Sequence, residues 1–342
     1  MRFSIVQYAL AATKVLAGVL LLSATTWIAA FSQTSPAAAS AQGTVVPQPT
    51  SFAATIKKSV VFLRAECIVE GNITAYDSTA FFLFKVDERL GNNRGFMYLV
   101  TNRHAAQPGF EQGDPCKVVR YFIRVNLRPS GQAGGPQSEV LSLGAAVPWV
   151  FSENTSIDLA VVPLALDYTK VDYEPIPSTM LATTDVVKNQ GIAEGDPVIF
   201  TGLFAQMPGL LRIEPIVRQG IIAMMPDEPI MTTLREPGNL YLADVHVFGG
   251  NSGSPMFVNL GGARNGSVMV GGPNYRLLGV VSGYEFEDAQ FNLNAATTYS
   301  GTVGANSGIT SVVPAEQLSE LIDSKVLQAQ RDVVVNQLNS KK

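Results

Sequence analysis

From residue 58 onward, short apolar or alternating runs are broken at intervals by Gly, Pro, Asn and Asp. Side chains that alternate in character with a period of two lie on opposite faces of a strand, so these runs predict β-structure. In the first half the expected strands are 59–68, 80–86, 96–100, 121–127 and 159–164, with a turn at Gly91-Asn92-Asn93-Arg94-Gly95. The second half repeats the style at 196–200, 213–217, 220–225, 240–247 and 277–281. Many short strands joined by turns fit a barrel or sandwich rather than βαβ units. The end of the chain changes period. Leu318, Leu321, Ile322, Val326, Leu327, Val333, Val334 and Leu338 recur near helical spacing after Pro314, a residue suited to a helix start. An all-β body followed by a C-terminal helix over 314–338 is expected.

The chain has 342 residues, 46% hydrophobic and 15% charged, a balance that supports a buried core and argues against disorder. Thirty Gly and twenty Pro supply the turns that an all-β body needs. The formal net charge is −4, and without residues 1–41, which hold Arg2 and Lys14 and no acid, it is about −6. Such a surface has no electrostatic reason to seek nucleic acid or anionic lipid. No P-loop, dinucleotide fingerprint or basic run with interleaved aromatics is present, and no cofactor is implied.

Residues 1–41 read as an export signal. Arg2 and Lys14 precede an uncharged stretch, 15–31, rich in Leu, Ala and Val, and Ala39-Ser40-Ala41 fits the small-x-small pattern for cleavage before Gln42. The competing reading is an uncleaved anchor, for which 15–31 is at the short end of a bilayer span. Either way the folded part lies outside the cytoplasm, secreted or periplasmic. Residues 42–57 read as a linker or short pro-segment, with Pro47 and Pro49 among polar neighbours. Cys67 and Cys116 are the only cysteines. With two histidines they cannot build a spaced four-ligand Cys/His zinc site, so no metal is expected. In an oxidising compartment they read as one disulfide; two separate buried thiols are the alternative.

Three segments carry candidate chemistry. Gly249-Gly250-Asn251-Ser252-Gly253-Ser254-Pro255 has the residues of a tight turn that exposes a serine hydroxyl, with the N–H groups of Gly250 and Ser252 as the natural pair for an oxyanion. Each such donor is worth about 2.7–4 kcal/mol in the transition state. A plain Gly/Ser/Pro hairpin loop is the bland reading of the same residues. A serine needs a base. His104 follows the apolar strand in Leu99-Val100-Thr101-Asn102-Arg103-His104, where a catalytic group reaches a cleft; a lone His is more often an ordinary surface or core residue. Asp158 opens Asp158-Leu159-Ala160-Val161-Val162. A carboxylate at the mouth of an apolar strand is partly buried and needs a partner, either an imidazole or the amides of a turn. Together the three are more specific than any alone. His, Asp and Ser occur in that order, 54 and then 94 residues apart, which is neither the subtilisin nor the α/β-hydrolase order.

These segments, with Leu278-Gly279-Val280-Val281-Ser282-Gly283, resemble the trypsin-like (chymotrypsin-fold) serine peptidases over roughly 58–325, nearest to the bacterial secreted glutamyl endopeptidases and, less closely, to Htr-type proteases lacking a PDZ domain. The resemblance implies two perpendicular six-stranded antiparallel β-barrels, split near 170–190, with the triad His104, Asp158 and Ser252 in the cleft between them. It implies that Ser282-Gly283-Tyr284 pairs with the substrate backbone. Animal trypsins carry Asp before the nucleophile to hold a freed N-terminus; Asn251 stands there, so no such activation switch is expected. His246, six residues before Ser252, sits where the base of the primary pocket is expected, favouring an acidic substrate side chain or else serving as a plain strand residue.

The function implied is a serine endopeptidase acting on a polypeptide through an acyl-enzyme. Two others stay open: a catalytically silent binding protein on the same scaffold, with the Gly-, Ser- and Pro-rich stretch 127–144 as a cover or partner site, and an esterase using the same triad. Membrane contact is expected only where the N-terminal segment is kept as an anchor, and nothing in the sequence sets the oligomeric state.

Overall fold

The computed structural model describes residues 51–129, 137–264, 267–269, 275–294 and 298–340. The expected leader, 1–41, and most of the expected linker lie outside the described residues. The last part of that linker stretch is helix α1 (Phe52–Lys57), whose start is capped by the Ser51 hydroxyl accepting from the Ala54 N–H at 3.2 Å. Phe52 stacks on Tyr275 with ring centroids 3.6 Å apart, and Ile56 is buried, so α1 is seated on the body.

The first unit contains β1 (Val60–Val69), β2 (Asn72–Val86), β3 (Gly95–Thr101), helix α2 (Arg103–Ala106), β4 (Lys117–Asn126), β5 (Ser138–Gly144), β6 (Val150–Phe151), β7 (Ala160–Pro163) and β8 (Ile176–Pro177). Its strands run in the order β5-β4-β1-β2-β3-β7-β6, with β8 added parallel to β2. It differs in detail from a six-stranded barrel, having eight strands and an open hydrogen-bonded path between β5 and β6. Gly144, at φ 76°, turns the chain out of the ladder, and Pro148 just beyond has no N–H to donate.

After helix α3 (Thr184–Gln190), the second unit contains β9 (Pro197–Gly202), β10 (Ile216–Met224), β11 (Ile230–Met231), β12 (Pro237–Gly238), β13 (Tyr241–Asp244), β14 (Pro255–Asn259), β15 (Gly262–Arg264), β16 (Ser267–Met269), β17 (Tyr275–Asn294) and β18 (Thr298–Pro314). Six of them close a barrel, β10-β13-β18-β17-β14-β9, while β11–β12 and β15–β16 are separate ribbons. The two runs expected at 213–217 and 220–225 meet in one strand, β10 over Ile216–Met224, with 213–215 left in the loop before it. Gly220 does not break it: a Cβ there would lie 2.0 Å from the Asp244 carbonyl oxygen, so the glycine admits β13 at close quarters. The expected strand at 240–247 ends at Asp244, although the Val245 N–H still donates to the Gly308 carbonyl of β18.

Burial explains the longest apolar run. Along β2, Ala80, Phe82 and Phe84 enter the core of the first unit, while Phe81 and Leu83 enter a second core shared with Phe257, Leu277, Val280 and Val313 of the barrel. A strand buried on both faces reads as continuous hydrophobicity. This shared core joins the two units, and the C-terminal helices complete it through Leu318, Leu321, Ile322, Leu327, Val334 and Val335. The expected single helix is two, α4 (Ala315–Ile322) and α5 (Lys325–Asn339). Ser324 caps α5, and buried Arg331 reaches back to the Ile322 carbonyl at 2.8 Å and the Tyr98 hydroxyl at 2.9 Å. Asp-Ser at 323–324 thus stops one helix and starts the next. Among the described residues no helix is long and apolar enough to cross a membrane.

Candidate active site

His104 sits in the single turn of α2, just after β3 ends. Asn102, buried, precedes it and donates from Nδ2 to the Asp158 carbonyl at 2.9 Å, locking the ends of β3 and β7 together. The Asp158 side chain is 2% exposed and His104 is 22% exposed. Asp158 Oδ1 accepts from the His104 backbone N–H at 3.0 Å, and Oδ2 lies 2.7 Å from His104 Nδ1. An ionised carboxylate only accepts, so the Nδ1 carries the proton and Nε2 keeps its lone pair in the neutral ring. Burial works against charge on both groups, yet each is held by the other. The Asp158 carboxylate and its hydrogen bond raise the His104 pKa above the ordinary imidazole value despite burial. Burial likewise pushes the Asp158 carboxyl upward, but His104, the Ser282 hydroxyl and the His104 amide together hold it below the usual carboxylate range.

Ser252 arrives from the second unit on the turn between β13 and β14. Gly250 has φ 96° and Gly253 φ 85°. A Cβ on Gly253 would lie 2.0 Å from the Thr79 carbonyl oxygen and 2.5 Å from Thr101 Oγ1, so only glycine passes there. Buried Asn251 clamps the turn: Nδ2 donates to the Leu203 carbonyl at 2.5 Å and Oδ1 accepts from the Phe248 N–H at 2.8 Å. Among the described residues the N–H groups of Gly250 and Ser252 take no acceptor, the condition an oxyanion pair needs before substrate arrives.

Two residues that sequence reasoning did not assign to these roles stitch the halves together. Thr79 on β2 donates from N to the Ser252 carbonyl at 2.8 Å and from Oγ1 to the Gly250 carbonyl at 2.7 Å, while its own carbonyl accepts from Thr101 Oγ1 at 2.7 Å. Ser282, expected only as a substrate edge, donates its hydroxyl to Asp158 Oδ2 at 2.6 Å. Its single proton is then spent, so the Thr233 hydroxyl 2.7 Å away is the donor to it. The Ser282 carbonyl accepts from the Ser252 hydroxyl at 3.4 Å. Ser282 therefore touches both Asp158 and Ser252. No hydrogen bond links Ser252 to His104 among the described residues.

The other candidates fall as follows. The β14–β17 ladder stops at Val280, and the Gly253 N–H caps it on the Val281 carbonyl, so 282–284 continue beyond β14 beside Ser252. His246 is exposed and lays its ring against Gly308, where an added Cβ would meet its Cε1 at 2.9 Å. Cys67 and Cys116 form a disulfide, Cα atoms 5.8 Å apart, tying β1 to the stretch that follows α2. Among the described residues no cluster of three or more His, Cys, Asp or Glu suits a metal ion. Of the stretch 127–144, residues 138–144 form β5, paired to β4, and 130–136 lie outside the described residues.

An acid–base pair with one free nitrogen, a serine on a strained turn and two amides without acceptors can carry out acyl transfer. The two-unit all-β body with a C-terminal helical segment is the chymotrypsin-like architecture that the motifs implied. No protein-family model matches the chain, and no curated protein does. Among solved structures, the crystal structure of Deg5 matches at 16% identity and TM-score 0.37, covering 67% of this chain and 80% of that one. The HtrA-type protease AlgW with a decapeptide matches at 16% identity and TM-score 0.42, covering 82% of this chain and 66% of that one. Matches this distant carry nothing about which residues act.

Proposed function

We propose that the protein is an exported serine-type endopeptidase. Ser252 attacks the substrate carbonyl, His104 takes its proton at Nε2 and later gives it to the leaving amine, and Asp158 orients the ring and stabilises the imidazolium. The amides of Gly250 and Ser252 receive the oxyanion, and water hydrolyses the acyl-enzyme. The observation that supports this most is the Asp158 carboxylate, which holds His104 Nδ1 at 2.7 Å while Ser282 bridges it to Ser252. Residues 282–284 serve as the edge that pairs with the substrate backbone, and His246, exposed beside Gly308, contacts the substrate side chain before the scissile bond. Residues 1–41 direct export, 42–57 join them to the body as a linker or short pro-segment, and 58–325 form the peptidase domain.

Ser252→Ala measures this on an unfolded protein substrate such as fluorescent casein. Loss of about 10⁶-fold in kcat is expected; turnover equal to the parent removes Ser252 from the chemistry. One observation favours a silent binding protein instead: the Ser252 hydroxyl is directed to the Ser282 carbonyl rather than to His104. That reading requires the parent itself to be inert toward casein and short esters.

A further inference from the structure

The loop between β9 and β10 carries nine consecutive uncharged residues, Leu203-Phe204-Ala205-Gln206-Met207-Pro208-Gly209-Leu210-Leu211. Its ends are rooted in a small buried cluster of Phe62, Leu203 and Ile213. Its tip does the opposite of what apolar side chains do in a soluble loop: Met207 is 71% exposed, Leu210 98% and Leu211 69%. Scattered exposed apolar residues are ordinary, but three on one short protrusion mark a contact surface.

The backbone of the loop is the second observation. A loop in water leaves its carbonyls to the solvent. Here those of Pro208 to Leu211 and of Phe204 are taken internally. Arg124 donates to the Gly209 carbonyl at 2.8 Å and the Leu210 carbonyl at 2.9 Å, and the Ser138 hydroxyl donates to the Leu211 carbonyl at 2.8 Å. The Pro208 carbonyl accepts from the Glu214 N–H at 3.2 Å, and the Phe204 carbonyl from the Met207 N–H at 2.8 Å. A tip whose 208–211 carbonyls already have partners gives up few hydrogen bonds to water when its apolar side chains leave the solvent.

The third observation says which medium. Lys57, at the end of α1, pairs with Glu214 at the foot of this loop, 3.3 Å apart. The chain therefore enters the body beside the loop. Upstream of Ser51 runs the uncharged apolar stretch 15–31, and residues 32–50 between them reach at most about 60–70 Å at ~3.3–3.6 Å per residue. A membrane engaged by the N-terminal stretch lies within reach of this face.

We infer that the tip of the 203–211 loop docks on a lipid bilayer, inserting Met207, Leu210 and Leu211 at the level of the headgroups. The site is independent of whether Ser252 is a nucleophile. Net negative charge gives the body no attraction to anionic headgroups, so the contact is made by apolar burial on a zwitterionic surface and persists at high salt.

The two cysteines of the chain are bonded to each other, so Leu210→Cys introduces a single free thiol at a nearly fully exposed position. The full chain carrying an NBD fluorophore there is mixed with phosphatidylcholine vesicles. The same label on Val333→Cys, an exposed site on α5, is the reference. The inference requires the protein to float with the vesicles. The label at 210 then brightens severalfold and is shielded from dithionite, at low and high salt, while the label at 333 stays open to it. A label at 210 that is quenched as fast as the one at 333 overturns it, as does equal shielding of both or failure to float. Shielding at 210 that needs no vesicles and grows with protein concentration also overturns it, and assigns the loop to a second copy of the chain.

Discussion

His104 and Ser252 stand on different units of the molecule and are held in different ways. On the first unit His104 is fixed by two bonds to one buried carboxylate, one from its backbone N–H and one from its ring, and that carboxylate accepts a third from Ser282. On the second unit the turn that carries Ser252 is just as firmly fixed, through Thr79, Asn251 and Gly253, but the hydroxyl itself makes one long bond of 3.4 Å to Ser282. The His104–Asp158 pair is organised in advance; Ser252 is organised at its backbone and left loose at its tip. A rotation about one side-chain bond costs far less than moving a backbone, so the mechanism proposed above needs only the serine rotamer to change when substrate fills the cleft.

The largest break of this contrast after loss of the nucleophile itself is at Asp158. Asp158→Asn keeps the shape of the group and removes the charge, and kcat is expected to fall about 10⁴-fold. The pH profile then separates orientation from charge. In the proposed mechanism the base works as neutral imidazole, so kcat/KM is expected to rise as pH passes upward through the His104 pKa. Asp158 raises that pKa against the effect of burial, so the parent midpoint lies above the ordinary value of about 6.5. In the variant burial is opposed only by the charge of Glu111, and the midpoint moves to lower pH. A midpoint that stays put would mean the carboxylate is not what charges the ring.

Ser282→Ala is the next in size. It removes a hydrogen bond to a buried charge, worth about 1.5–3 kcal/mol, and so a 10- to 100-fold drop in kcat with little change in fold is expected. A rise in KM alone, read from steady-state kinetics, would restrict Ser282 to the substrate edge. Thr79→Val tests the other unit with the smallest effect. It leaves the Leu203 N–H and the Gly250 carbonyl without their buried partner, at a cost of about 1–3 kcal/mol in stability. Thermal unfolding should show a Tm lowered by several degrees, while the His104 pH midpoint stays where it was.

Much of this was legible in the chain. His104, Asp158 and Ser252 stand at strand ends or in turns, where local pattern already marks them, and the glycines at 250 and 253 announce a backbone that other residues cannot follow. Thr79 was not legible, because it sits mid-strand in β2 and acquires its role only through partners some 171 residues away. Ser282 was visible as strand edge but not as a ligand of Asp158, since that bond crosses 124 residues. The gap between the expected runs at 213–217 and 220–225 misled in the opposite sense: Arg218 and Gln219 continue the strand, and only the passing β13 reveals why a glycine follows them. The split of the last helix was hidden for the same kind of reason, as Arg331 supports the break from within the core.

The central claim is that His104 activates Ser252. Purified, leader-free protein treated with a fluorophosphonate and mapped by mass spectrometry tests it directly. A stoichiometric adduct on Ser252 that disappears in His104→Ala is expected. No adduct on folded protein, or one that forms equally well without His104, would contradict it.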